Sequence, residues 1–457
     1  MTENKEINPV SIDNIPSEIL YQVVSLIPLK EAARTIILSS SWKHIWTPIQ
    51  VLLNITSDQI TSQESGQRMN KIISSFLNTY VNSYQILNLS FLEPNSVSEE
   101  TLFMKAIKGV DKDLHISFFH DENPKDFSLS IELPLCEHDN FVSLKTLHLR
   151  SITGMAESFL PVLFSGCRNL ETLSLEKCKG LQDVDIKAHD LLHNFVILDC
   201  ENMKNVNVSS ASNLKSFLYR GTLAKIELKE VPKLCDVTLN LKGTTSLSEF
   251  DCEDIVSLLA SLMDVEVLTL SGWLLEWLYT RGVTFDDEPK FRFDKLKELS
   301  WIDYCMNTHK RDSLASFLSI TPSLENLFIK IDEKWSTVPT NAHFHQSWPR
   351  VLTDKLDDFQ LKHLKSVKFF GFKIEEEDQM LVSLMDLLLK RAIAIKEMRV
   401  IESEKKLSWK VAKIPQSHLM KMKSTSTRTC YNSSKSSNLL LSLSNKCAFQ
   451  LTPVHVN

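Results

Sequence analysis

Glycine is scarce, with ten residues in a chain of 457. Neither GxGxxG nor GxxxxGKS/T occurs, which argues against an enzyme built on a glycine-rich phosphate loop. The nine cysteines are odd in number and include no CxxC pair. They therefore read as reduced thiols inside a cell and not as a disulfide framework. No apolar run reaches the roughly 18 residues of a membrane helix. The opening "MTENKEINPVSIDN" lacks the apolar core of a secretory signal. Positive charge is not in excess either: 51 Lys and Arg stand against 57 Asp and Glu, a formal net charge of -6. A balance of that sign argues against nucleic acid or acidic lipid as a general partner. The expectation is an intracellular protein, of cytoplasm and/or nucleus, with no membrane or nucleic-acid partner.

What is present is ordinary soluble composition, 43% hydrophobic and 24% charged. The length suits about two to three domains or one extended repeat array. Near the start, "PSEILYQVVSLIPLKEAARTIILSSSWKHIW" concentrates aliphatic residues and two tryptophans. Pro16 suits a first helical position and Glu18 a first turn. Ile19, Leu20, Val23, Val24 and Ile27 recur at helical spacing. Pro28 stops that helix, Lys30 to Leu38 reads as a second, and Ser39 can cap a third carrying Trp42, Ile45 and Trp46. Three such helices, in about 35 residues, are too small to sustain a core alone. Either they cap the downstream domain or helices of a partner complete them.

The stretch resembles an F-box of the plant type. Asp13, Pro16, Ile19, Leu20, Ser25, Pro28, Lys30, Ala32, Thr35, Leu38, Ser39, Trp42 and Trp46 keep the order of that motif without a gap. Ile15, Leu26 and Ile45 depart mildly from it, and Ser40 and Ser41 replace its usual basic pair. The resemblance implies packing on a Skp-type adaptor, and through it a cullin, by Pro16, Ile19, Leu20, Ile27, Leu38 and Trp42.

Farther on, a phrase of leucine, two residues, leucine, one residue, leucine recurs. "LETLSLEKCKGL" states it with Leu170, Leu173, Leu175, Cys178 and Leu181. Other copies are "YQILNL", "LKTLHL", "FVILDC", "LKSFLY", "LCDVTL", "VEVLTL", "LKELSW", "LENLFI" and "LKSVKF", with a weaker "DLHISF". Intervals of roughly 20 to 40 residues bracket the leucine-rich-repeat period. The alternation in each phrase predicts a short strand with one face inward, and no unit can hide that face unless neighbours stack. Irregular spacing predicts uneven helical or looped backs. Residues between the leucines would point out of the core. On that pattern His148, Ser174, Asp199, Lys215, Thr238, Thr269 and Ser300 are candidates to touch a protein target.

"LKHLKSVKFFGFKIEEEDQMLVSLMDLLLKRAIAIKEMRVIES" starts as a strand and continues as an amphipathic helix. Met380, Leu381, Leu384, Leu387 and Leu388 form its apolar side, and Met398 and Val400 suggest a closing strand. Leu364, Lys365, Val367, Gly371, Phe372, Leu388 and Ala392 resemble the FBD region of plant F-box proteins, here an end cap for the repeats. From about Lys421 the chain turns poor in core-forming residues and reads as disordered. His343 and His345 lack further ligands at a suitable offset and read as a surface loop. Asp286, Asp287 and Glu288 read as a solvated insertion, and Glu375 to Asp378 as acids favouring a helix N-terminus. Cys167, Cys178 and Cys200 read as small buried hydrophobes near repeat turns.

The expected architecture is α/β: a small all-α three-helix F-box followed by an irregular leucine-rich-repeat solenoid. Its parts are an F-box at 11–50, a linker or helical connector at 51–80, repeats at 81–359, an FBD-like cap at 360–402 and a disordered tail at 421–457. The resemblance implies a non-catalytic substrate-recognition subunit of an SCF-type ubiquitin ligase, without cofactor or metal. The alternative is a scaffolding repeat protein whose N-terminal helices only cap the solenoid.

Overall fold

The computed structural model describes residues 50–54, 84–91, 110–118, 128–129, 144–152, 154–187, 190–242, 252–283, 292–332, 359–372, 379–402, 407–413 and 449–454. The adaptor-facing set (Pro16, Ile19, Leu20, Ile27, Leu38, Trp42) lies outside these residues, as do His343, His345 and the acidic runs at 286–288 and 375–378. The chain divides into two compact units, Met1–Leu214 with Glu230–Pro232, and Lys215–Lys229 with Lys233–Asn457.

The first unit contains β1 (Gln50–Asn54), β2 (Tyr84–Phe91), β3 (Val110–Phe118), β4 (Ser128–Leu129), β5 (Thr146–Arg150) and β6 (Gly154–Met155). Helix α1 (Phe159–Gly166), β7 (Thr172–Glu176), β8 (Asp183–Lys187), β9 (Asn194–Leu198) and β10 (Asn205–Ser209) follow. Strands β1, β2, β3, β5, β7 and β9 lie side by side, all parallel. The repeat phrase explains them. Leu147 and Leu149, Leu173 and Leu175, and Phe195 and Ile197 are at most 1% exposed, and the leading Leu144, Leu170 and Leu192 are buried beneath the strand starts. Each such side chain contributes about 1.5–3 kcal/mol when removed from water. That gain is available only because the neighbouring repeat covers it.

Two expectations need correction in this unit. Residues 51–80 were to be a linker or helical connector, which is corrected for Val51–Asn54: with Gln50 they form β1, Gln50 opposite Ile86 and Leu53 opposite Leu89. The run Val51, Leu52, Leu53 is apolar enough to extend the sheet, and pairing satisfies its backbone groups. The backs were to be helical or looped, yet two are strands: β8 and β10 pair in parallel, with Val184 opposite Val206 and Ile186 opposite Val208. Thr172 and Asn194 sit only 22 residues apart, a circuit too short to hold a full helix as well as the front strand and both turns. Alternation then selects a strand, since Val184, Ile186, Val206 and Val208 are buried while Asp183, Asp185 and Lys187 are exposed.

The second unit contains β11 (Ser216–Thr222), β12 (Lys225–Lys229), β13 (Asp236–Lys242), α2 (Cys252–Ser261), β14 (Val267–Ser271), α3 (Gly272–Thr280) and β15 (Glu298–Asp303). It continues with α4 (Thr308–Ser319), β16 (Asn326–Ile331), β17 (Ser366–Phe370), α5 (Gln379–Arg391), β18 (Glu397–Glu402), β19 (Leu407–Lys413) and β20 (Phe449–Val454). Strands β11, β13, β14, β15, β16, β17 and β18 are parallel neighbours. β19 and β20 continue the sheet antiparallel, with Lys413 opposite Phe449. The expected disordered tail at 421–457 is thereby corrected for Phe449–Val454, whose "FQLTPV" departs from the polar composition upstream. Helix α5 buries Leu381, Leu384, Met385, Leu388 and Leu389. That stripe at i, i+3, i+4, i+7 and i+8 takes in Met385 and Leu389 and leaves Leu387 half-buried. Gly371 explains the turn after β17: its φ is +78°, and a Cβ there would strike the Ile331 carbonyl.

Candidate protein-binding face

The strands turn their core residues one way, so the alternate residues line the opposite face in register. In the first unit one row runs His115, His148, Ser174, Val196. In the second it runs Leu218, Thr238, Thr269, Ser300, Phe328, Lys368, Arg399. Five of the seven target-face candidates therefore fall on these rows: His148, Ser174, Thr238, Thr269 and Ser300. Ser174 is only 7% exposed and offers little surface.

Asp199 and Lys215 do not fall on these rows. Asp199 follows β9 with φ +51°, the same left-handed turn that Ser151 and Lys177 make after β5 and β7. Asp tolerates that conformation, and Ser and Lys stand at the equivalent turns. Lys215 lies one place before β11, where its carbonyl accepts from the Cys235 and Asp236 N–H groups. Both misplacements have one cause: the phrase fixes the leucines, but not where the strand begins and ends. Phe328 and Lys368 were legible at the same phrase position, in "LENLFI" and "LKSVKF". Arg399 was not, because Met398 and Val400 stand where the leucines would be.

His115 and His148 bring their rings to 5.5 Å between centroids. Desolvation lowers both pKa values, and for His148 the neighbouring His115 adds to the effect, so both tend to the neutral form. His148 Nε2 lies 3.8 Å from Glu176, which also receives Arg150 at 3.5 Å.

At the strand starts the chemistry differs. Lys145 meets Glu171 at 2.6 Å in the first unit; in the second, Lys297 meets Glu266 at 2.8 Å and Lys365 meets Glu325 at 2.7 Å. The hydrogen bond to Glu266 raises the Lys297 pKa, and that from Lys365 lowers the Glu325 pKa. These are exposed, screened pairs that tie one repeat to the next and add little energy.

At the opposite end of β15 lies a buried charge cluster. The Lys310 side chain is fully buried; its Nζ donates to Asp303 Oδ1 at 2.8 Å and to the Cys305 carbonyl at 3.5 Å. It also sits 3.9 Å from Glu276 and 4.0 Å from the Tyr304 ring centre. Desolvation pulls the ammonium pKa down, but attraction to Asp303, Cys305 and Glu276 outweighs it and raises the net value. Burial pushes Asp303 up despite Lys310, consistent with its bare Oδ2, which accepts no hydrogen bond. Asn307 caps α4, accepting from the Lys310 N–H at 2.8 Å and donating to Glu276 at 2.9 Å. The cluster thus fixes α3, β15 and α4 to one another.

Cys167, Cys178 and Cys200 are buried. Cys178 and Cys200 donate to the Leu149 and Leu175 carbonyls at 3.6 and 3.5 Å. Burial pushes the Cys167 thiol up to about 12, which disfavours a nucleophilic thiolate. Among the described residues, no three or more His, Cys, Asp or Glu are placed to hold a metal ion. No helix among them is long and apolar enough to cross a membrane.

Parallel strands repeated from L-x-x-L-x-L, with the leucines on one face in the core and the alternate residues in register on the other, define a leucine-rich-repeat protein. The chain belongs to the leucine-rich-repeat family described as At1g61320/AtMIF1, LRR domain, whose sequence model matches residues 130–436. In Arabidopsis thaliana, a protein carrying the name F-box/LRR-repeat protein At3g18150 is 25% identical over 418 residues, 86% of each chain. The F-box/LRR-repeat protein At5g02910 is 27% identical, covering 58% of this chain and 61% of that one. The FBD-associated F-box protein At1g66310 is 22% identical, covering 79% and 85%. Among solved structures, the leucine-rich repeat-containing protein LegL7 from Legionella pneumophila aligns at 14% identity, covering 79% of this chain and 98% of that one. Its TM-score is 0.30, a level at which the likeness adds nothing to the fold assignment.

Proposed function

We propose that the chain is a substrate-recognition subunit of an SCF-type ubiquitin ligase and carries out no bond chemistry itself. Residues 13 to 46 bind a Skp-type adaptor, and through it a cullin, using Pro16, Ile19, Leu20, Ile27, Leu38 and Trp42. The sheet faces opposite the core hold a protein target. Holding the target beside the ubiquitin-carrying enzyme raises its effective concentration, the physical basis of such a receptor. This work is done inside the cell, in cytoplasm and/or nucleus.

The observation that carries the reading is the F-box pattern, ungapped from Pro16 to Trp46, in a chain whose relatives bear F-box and LRR names over as much as 86% of its length. The test is capture of the full chain by a purified Skp-type adaptor. Leu20→Asp together with Trp42→Ala should abolish capture while the circular dichroism of the repeats stays unchanged. Capture that persists in the folded double variant overturns the proposal.

A further inference from the structure

On β16, β17 and β18 the sheet face changes character. In β13, β14 and β15 the row is small and hydroxylic (Thr238, Thr269, Ser300), whereas the next three positions are Phe328, Lys368 and Arg399. The adjacent row reads Lys330, Phe370, Ile401. Apolar and cationic side chains therefore interleave across three strands. The Phe328 and Phe370 rings are 6.5 Å apart, and the Lys368 ammonium lies 5.6 Å from the Phe328 ring centre.

The cations of this patch differ in their partners. Lys330 pairs with Asp332 at 3.2 Å, and Arg399 pairs with Glu397. Lys368 meets no carboxylate among the described residues, although on the same strand pair Lys365 meets Glu325 at 2.7 Å. In a chain of net charge -6, a lysine resting on an aromatic face without an acid is a cation left for something else. Neighbouring strands are about 4.8 Å apart, so the row from Thr269 to Arg399 spans roughly 19 Å, the length of about six extended residues.

We infer that this patch recognises an extended acidic segment of a target protein, one apolar side chain seating against Phe328 and Phe370 and a neighbouring carboxylate meeting Lys368. The inference rests on the sheet face being the target-binding surface and names the chemistry of the segment it takes. Short hydroxyl side chains on β14 and β15 leave room for the backbone of that segment and give it hydrogen-bonding groups. The aromatic pair supplies burial and Lys368 supplies selection by charge.

The test measures fluorescence anisotropy of labelled hexapeptides on the full chain. One peptide carries Leu-Asp-Glu at its centre, one Leu-Ser-Ser and one Leu-Lys-Lys. The acidic peptide should bind at least about tenfold more tightly than the basic one. Lys368→Glu should remove or reverse that order, and Phe328→Ser should weaken the acidic and neutral peptides alike. Adaptor capture should be unchanged in both variants. No preference for acid, a preference that survives Lys368→Glu, no binding because the chain covers its own face, or binding of a single-stranded oligonucleotide in place of the acidic peptide would each overturn the inference. Adaptor capture is read separately: acidic preference without capture sinks the ligase reading and leaves this patch, and capture without preference does the reverse.

Discussion

Lys310 has ionic partners from two other elements and belongs to the first turn of α4, where the helix dipole disfavours a cation. Its stabilising value comes entirely from Asp303, Glu276 and the groups around Cys305. Replacing it with Met leaves Asp303, only 2% exposed, as a buried charge without a counterion. That change should cost about 3–5 kcal/mol in urea denaturation at neutral pH, and adding Asp303→Asn to the same protein should recover part of the loss. The pH dependence follows from the raised Lys310 pKa. Its contribution is complete below the unfolded value of 10.5 and disappears as pH climbs through the higher folded value. As pH rises above 10.5 the native protein should lose this increment, and Lys310→Met, which lacks the ammonium, should not.

At the scale of the element, each front strand depends on its two neighbours. Leu173 is fully buried in β7, between β5 and β9. Leu173→Ala should cost about 2–5 kcal/mol, set by how far the cavity collapses. Because repeats touch chiefly those beside them, hydrogen exchange should accelerate in β5, β7 and β9 and stay unchanged in β15 and β16. Equal acceleration throughout would show that the chain opens as one block. The front strands were legible from the sequence because two-residue alternation is written into each phrase. The back strands were not, because "DVDIK" and "NVNVS" are as short and polar as loops until a parallel partner pairs with them. Likewise the α5 pattern suggested Leu387, whereas packing selected Met385 and Leu389: several faces of a leucine-rich helix are apolar, and the contacts it meets choose among them.

For the whole molecule, the decisive quantity is whether the N-terminal apolar stretch finds its covering in the adaptor. If it does, expression of the full chain alone should give aggregated or poorly soluble protein, and co-expression with a Skp-type adaptor a monodisperse one-to-one complex in size-exclusion chromatography. An exposed apolar patch of that kind is a liability until its partner arrives. Identical behaviour with and without adaptor would favour the scaffolding alternative, in which the same helices cap the repeats.

The sequence by itself determined the repeat and the leucine positions of the front strands that fill the core, because a two-residue period and a stacking requirement suffice for both. Only the tertiary structure decided where each strand stops, which backs become strands, that Phe449–Val454 closes against β19, and that Phe328, Lys368 and Phe370 stand together. Those outcomes depend on pairing between segments far apart in the chain. A hydrogen-bonding edge, or a cation lacking an acid, exists only once the partner strand is in place.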